Sequence, residues 1–282
     1  MWLLASFPLR ALYVLSDGIY YILYYLIGYR RKVVRQNLTC SFPEKSLDEI
    51  IRIEKKFYHY LCDYFMDEIK LLKMSPEELF KRMTYINKSE YLQKIDEYGG
   101  IVLLIPHYAS FEWITGMGMI MPPDQIPVQV YKPLKNPYID KLFLNLRSRF
   151  RGYNVAKHST GRELIKLKRD NKKMAIGLIT DQSPGPQDSR YWTTFLNQET
   201  AFMNGAERIA RMLKFPVFYC ELKRIKRGYC EVSFDLLTDK PQDLQEGSIT
   251  ELFARKVENT IRREPAYWFW SHKRWKLRKE DE

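Results

Sequence analysis

From residue 47 to residue 74 the apolar positions Ile50, Ile53, Phe57, Tyr60, Leu61, Tyr64, Phe65, Ile69 and Leu72 return at steps of three and four. That spacing predicts an amphipathic helix with a wide apolar stripe. Ser46 followed three residues on by Glu49 predicts a capping box at its start, and Pro43 breaks whatever precedes it. Ser75, Pro76 and Glu78 repeat that logic for a second helix. After Gly99 and Gly100 the pattern changes. Ile101 to Ile105 is apolar throughout, as expected for a strand covered on both faces, and Pro106 ends it.

The same reading predicts strands over 126–131 and 175–180, and an antiparallel pair over 217–225 and 229–237 turning at Arg227 and Gly228. Helices are predicted over 140–149, 159–170, 204–213 and 249–263. Between Asp181 and Asn204 the chain is rich in Pro, Gly, Gln and Ser and reads as a loop that includes Ser183, Pro184, Gly185 and Pro186. The alternation predicts an α/β fold: one domain over 33–282, with a mixed, mostly parallel sheet flanked by helices.

Ahead of it, residues 11–29 are apolar and bordered by Arg10 and by Arg30, Arg31 and Lys32. As a helix this run would reach roughly 28 Å, just enough to cross a bilayer. Residues 1–32 are therefore expected to form an N-terminal membrane helix, either spanning or lying in the interface, since Asp17 and the tyrosines of the run prefer the boundary to hydrocarbon. No small-residue cleavage site follows it, and the basic border places the rest of the chain on the cytoplasmic side.

Composition narrows the partners. Lys and Arg number 46 against 34 Asp and Glu, a formal charge of +12, which favours an anionic partner: nucleic acid, lipid headgroups or an acidic carrier protein. Aromatic residues at 15% suit a membrane interface. Cys40, Cys62, Cys220 and Cys230 show neither CxxC spacing nor a His partner at zinc-ligand distance, so no metal site is indicated and scattered reduced thiols are expected.

Chemistry is expected beyond the carboxyl ends of buried strands, where His107, Glu112 and Asp181 stand. On one continuous helix His107 and Glu112 would point about 140° apart. With His107 in the loop and Glu112 in the first turn of the next helix, the carboxylate could reach the imidazole, fix its tautomer and stabilise the imidazolium. Such a His can take the proton of a hydroxyl as that oxygen attacks a thioester. The competing reading of each residue is structural: a satisfied strand-end histidine, a strand-end carboxylate at Asp181, a solvated helix charge at Arg147.

Several blocks occur in order along nearly the whole chain: the apolar N-terminal segment, Arg35-Gln36-Asn37-Leu38 with Phe42-Pro43-Glu44, His107 to Trp113, Val130-Tyr131-Lys132-Pro133 with Asn136-Pro137, Arg147, Asp181-Gln182, and Trp270-Ser271-His272-Lys273-Arg274-Trp275-Lys276. Together they resemble the lipid A late acyltransferases of Gram-negative bacteria. The resemblance implies a glycerolipid acyltransferase-like fold at the inner membrane and transfer of an acyl chain from an acyl carrier protein thioester to a hydroxyl of a lipid A precursor, without metal or other cofactor. It implies His107 as general base and Glu112 as its partner, an HX4E motif, with Arg147, Asp181, Gln182 and Lys132 supporting the site. Asp181 was open to orienting Arg147 or a substrate amide. The block after His107 reads Ala-Ser-Phe-Glu where many relatives carry Asn-Trp-Glu, so neighbouring contacts are expected to differ. His272, Trp270 and Arg274 are expected to pack and to face lipid headgroups.

Other acceptors compatible with these motifs are an aminolipid, a glycolipid or a lysophospholipid. A basic nucleic-acid binder is the rival of another class. Against it, the charge is spread along the chain and no RRM, KH or zinc pattern occurs. A catalytically silent membrane scaffold is a third reading, opposed by the presence of both His107 and Glu112.

Overall fold

The computed structural model describes every residue except Lys135, Pro186, Gln187, Ser189 and Glu282; Pro186, part of the expected loop, thus lies outside the described residues. In chain order come helices α1 (Trp2–Ala5), α2 (Leu9–Tyr21), α3 (Arg31–Ser41), α4 (Leu47–Leu71) and α5 (Pro76–Arg82), strand β1 (Met83–Tyr85), α6 (Lys88–Tyr98) and β2 (Gly100–Ile105). A 3₁₀ helix (Phe111–Met119) leads to β3 (Gln125–Tyr131), α7 (Pro137–Ser148), β4 (Tyr153–Ala156), α8 (Thr160–Arg169) and β5 (Lys173–Ile179). β6 (Arg190–Phe195), β7 (Gln198–Met203), α9 (Gly205–Leu213), β8 (Val217–Lys226), β9 (Tyr229–Thr238) and α10 (Ser248–Arg263) complete the order.

The capping box forms as expected: Ser46 N–H donates to Glu49 at 2.9 Å, and Ser46 Oγ accepts from the Glu49 N–H. The helix it starts buries Ile50, Phe57, Leu61 and Tyr64 along the expected stripe. Seven strands make one sheet in the order β1-β9-β8-β2-β5-β3-β4, with every neighbour parallel except β8 and β9. β2, at its centre, is buried along its whole length, which accounts for its unbroken apolar sequence.

Two expectations change. The loop expected after Asp181 contains an antiparallel hairpin of β6 and β7, with Phe195 opposite Gln198 across Leu196 and Asn197. Both turn residues have positive φ, 50° and 63°, the backbone of a type I′ turn; a Leu in the first turn position hid that turn from the sequence. The N-terminal segment also departs from a straight span. α2 runs on through a π-helical turn (Ile22–Ile27), and Gly28 (φ 64°) and Arg30 (φ 51°) then turn the chain through about a right angle into α3.

Among the described residues no single helix is long and apolar enough to cross a membrane. Only the bent pair Leu9–Ile27 and Arg31–Ser41, meeting at 92°, has the length and composition together. One face of α2 packs against α4, burying Leu9, Leu12, Tyr13, Ser16 and Tyr20. Its polar groups are spoken for: Ser16 Oγ donates to Asp63 at 2.8 Å, and Asp17 accepts from Arg227 at 2.7 Å. The N-terminal segment therefore shares the core of the α/β unit.

The 3₁₀ helix that carries Glu112 lies so close to the chain at Phe150 that a Cβ on Gly118 would collide with the Phe150 carbonyl. Because the obstacle is backbone, it cannot swing aside. Gly118→Ala is expected to lower unfolding free energy by about 1–3 kcal/mol, the usual range for overpacking, as read from urea denaturation; an unchanged midpoint would show that the helix has room to move.

Candidate active site

β2 and β5 are parallel neighbours with Ile105 paired to Ile179. Two residues beyond that pair on each strand stand His107 and Asp181, so the register alone delivers them side by side at the carboxyl edge of the sheet. The Asp181 side chain is buried and accepts three hydrogen bonds: from the His107 N–H (2.9 Å), from His107 Nδ1 (2.5 Å) and from the indole N–H of Trp268 (2.8 Å). Burial alone would push this carboxyl up; the His107 charge and the bonds from His107 and Trp268 outweigh it and hold the carboxyl below its ordinary range.

With Nδ1–H given to Asp181, the lone pair of His107 is on Nε2. The Gln182 amide reaches that atom at 3.0 Å. The imidazole is partly exposed and lies edge-on to Phe111, centroids 5.0 Å apart.

Glu112 stands in the first turn of the 3₁₀ helix, the loop-then-helix arrangement expected, but its carboxylate belongs to Arg147 of α7. Two bonds join them, Nη2 to Oε1 at 2.7 Å and Nε to Oε2 at 3.3 Å. No hydrogen bond or ion pair joins Glu112 to His107 among the described residues. The expected pairing is thus exchanged: Asp181, open to orienting Arg147, holds the imidazole, and Glu112 holds the guanidinium. Strand register is the reason, since it places Asp181 nearer to His107 than a residue five positions along the same chain.

Beside this second pair lies Glu68 of α4, whose buried carboxyl oxygens have no hydrogen-bond partner among the described residues. Burial, then the charges of Glu112 and Asp67, push it well above the ordinary range, which favours its neutral acid form and leaves Arg147 to Glu112. Lys132 is exposed just beyond β3, and among the described residues no hydrogen bond or ion pair joins it to either pair.

Against the Glu112–Arg147 pair opens a cavity of about 70 Å³ lined by Ile105, Phe111, Ile114, Val128, Gly177 and Ile179; through Ile105 and Ile179 it abuts the strand ends that lead to His107 and Asp181. Its lining is mostly aliphatic. Ala175, Gly177 and Ile179 share one face of β5, and the small side chains of the first two leave this space open.

The carboxyl-terminal aromatic run packs, as expected, but it faces the core and not outward. Trp268 and Trp270 are buried, and Asn37 of α3 donates to the carbonyls of Trp270 (2.8 Å) and His272 (3.0 Å), so the Arg35-to-Leu38 block meets the Trp270-to-Lys276 block. His272 Nε2 accepts from the Ser183 N–H at 3.2 Å, and burial with the nearby Arg274 charge pushes its imidazole down from 6.5 to about 4. The bond from Trp268 to Asp181 is what sequence reasoning missed; 87 residues separate the partners, and no local spacing signals it.

An α/β sheet that presents a His–carboxylate pair at its carboxyl edge, near an aliphatic cavity walled in part by a half-buried Arg–Glu pair, has the makeup of an enzyme site facing apolar space. Residues 1–277 match the family model described as bacterial lipid A biosynthesis acyltransferase, and the chain belongs to that family of acyltransferases acting in lipid A biosynthesis. It is also 26% identical to the lipid A biosynthesis lauroyltransferase of Escherichia coli (strain K12), over 99% of this chain and 90% of that protein.

Asp181→Asn keeps the shape but removes the charge that fixes the Nδ1–H tautomer. It is expected to lower turnover by about 10²–10⁴-fold, the scale of losing a base or its orienting carboxylate, while circular dichroism remains native. Turnover within a few-fold of the unsubstituted protein would remove Asp181 from the machinery.

Proposed function

We propose that the chain transfers a fatty acyl group from an acyl carrier protein thioester to a hydroxyl of a lipid A precursor, with His107 as general base. The bond from His107 Nδ1 to Asp181, which leaves Nε2 as the basic atom beside an aliphatic cavity, carries this reading. The acceptor oxygen attacks the thioester carbonyl while its proton passes to Nε2. The tetrahedral intermediate then collapses, the C–S bond breaks, and the proton on Nε2 returns to the departing sulfur. Asp181 stabilises the transient imidazolium and never takes the proton. Gln182, at 3.0 Å from Nε2, gives way to the hydroxyl or donates to it.

Arg147, held in one orientation by Glu112, offers positive charge at the cavity wall for the thioester's or lipid's phosphate or for the developing oxyanion. Glu112 acts in this reading through the guanidinium. The thioester is already activated, so the step needs no metal or other cofactor. The name of the E. coli relative makes lauroyl the first donor to try.

The enzyme is proposed to work at the inner membrane with its catalytic face in the cytoplasm. Trp2, Phe7, Leu15, Ile22 and Leu26 are exposed on the side of the N-terminal segment away from the core, and Arg30, Arg31 and Lys32 follow it. An apolar face with a basic border suits a segment lying in an anionic interface.

Purified protein in detergent, supplied with acyl carrier protein thioesters of graded length and a lipid A precursor, is expected to raise the lipid mass by one acyl group. His107→Ala is expected to lower that rate by about 10²-fold or more. Mass spectrometry of the lipid reads both. Activity undiminished in His107→Ala would exclude the base, and no acylation with any donor would exclude the proposed substrates.

Gly177 supplies a second test. A Cβ there meets Ile105 and the Val128 carbonyl at 3.4 and 3.6 Å, ordinary contact, so a larger residue should be accommodated at the expense of the cavity. Gly177→Val is expected to move the preferred donor to shorter chains, seen as a change in product masses in a mixed-donor assay. An unchanged profile would mean that the acyl chain lies elsewhere.

A further inference from the structure

The segment between His107 and Glu112 is held from outside, one residue at a time. Ala109 has φ 49°, a left-handed backbone that a residue with a Cβ adopts only when its surroundings impose it. Its N–H donates to the Tyr267 carbonyl at 2.9 Å, and its carbonyl accepts from Tyr60 Oη at 2.8 Å. Phe111 stacks on Tyr64, centroids 5.5 Å apart. Ser110, between them, donates its hydroxyl to Asp67 Oδ2 at 3.0 Å.

Tyr60, Tyr64 and Asp67 are at i, i+4 and i+7 of α4, so one face of one helix grips three consecutive residues of this segment. Asp67 also reaches α2. Its Oδ1 accepts from Tyr13 Oη of α2 at 2.7 Å, and the carboxyl is buried between the two hydroxyls. α2 is the helix whose outer face is apolar and exposed, and it is tied to α4 again by Ser16 and Asp63.

We propose that Asp67 is a positioning residue for the acyl transfer: by accepting the Ser110 hydroxyl on one oxygen and the Tyr13 hydroxyl on the other, it sets the span between His107 and Glu112 and links that span to the seating of α2. This rests on the reading of His107 as the base. Asp67 touches neither substrate nor imidazole; it acts through Ser110. Burial pushes its carboxyl up to about 7, so its bonds to two hydroxyls do not demand a full charge. An amide of the same shape can serve both hydroxyls, donating to one and accepting from the other, and Asp67→Asn is therefore the conservative replacement.

The test is steady-state kinetics with the lipid acceptor in mixed micelles, at a temperature where circular dichroism shows each variant fully folded. Ser110→Ala and Asp67→Ala are expected to lower kcat by about 10-fold with KM for the thioester unchanged, as misplacement of a reacting group would. Asp67→Asn is expected to recover most of that loss. Tyr13→Phe is expected to lower kcat several-fold, and Ser110→Ala with Tyr13→Phe should be no slower than Ser110→Ala alone, because both bonds end on one carboxyl.

Wild-type kcat in folded Ser110→Ala and Asp67→Ala, or an Asp67→Asn as slow as Asp67→Ala, would overturn the positioning role. Effects of Ser110→Ala and Tyr13→Phe that multiply would overturn the link to α2. His107→Ala run alongside separates the two readings: if it keeps full turnover the base assignment fails, while the ratio of Ser110→Ala to unsubstituted protein still decides the part played by Asp67.

Discussion

A carboxylate taken out of water is tolerated only where donors replace its hydration, and Asp181, at the end of β5, receives three of them from two other parts of the chain. The end of β2 gives a backbone N–H and an imidazole, and the carboxyl-terminal segment gives the Trp268 indole. Each donor is thereby fixed in turn: the imidazole in one tautomer, the loop after β2 in one path, the aromatic run against the sheet. Tyr108 and Trp268 form an isolated bridge between the same two segments, so the backbone repeats what the side chains do. Loss of one donor leaves a buried charge short of a partner, which costs more than the bond alone is worth.

α4 is the second organising element, and beside its apolar stripe it carries buried carboxylates that bind its neighbours. Glu54 takes Tyr24 Oη and the Arg35 guanidinium, and Asp63 takes Ser16, Arg224 and Arg227. These ties run from α4 to the N-terminal segment and α3 on one side and to the β8–β9 hairpin on the other. An ion pair in such a place contributes little net stability over an apolar contact, but it permits one arrangement and penalises others. That explains how an apolar amino-terminal stretch with a membrane-like composition is held in register against the α/β unit.

The site itself divides its carboxylates. Asp181 serves the group that would accept a proton, and Glu112 serves the group that would carry positive charge to an anionic substrate. Each cation thus has a carboxylate of its own, and Arg147 does not compete with His107 for one. The cavity against Arg147 and Glu112 exists because β5 places Ala175 and Gly177 where larger side chains would have closed it.

Much of this was legible along the chain. Periodicity and capping residues located α4, and unbroken apolar runs located β2 and β5, because helix and strand periods are local properties of sequence. That His107 and Asp181 follow buried strands was visible for the same reason, and the ordered motif blocks pointed to the family. Their pairing was not visible: whether β5 lies beside β2, and in which register, depends on contacts between residues more than 70 positions apart. The β6–β7 hairpin escaped because its turn uses Leu196 and Asn197 in place of glycine, and the bend after residue 27 escaped because apolar length says nothing about the backbone at Gly28 and Arg30. Local pattern was enough to place His107 and Asp181 just past buried strands, at the carboxyl end of the sheet. Only the tertiary structure decided which carboxylate His107 and Arg147 each met, because strand order and the packing of Trp268 are set by the whole core and by no local pattern.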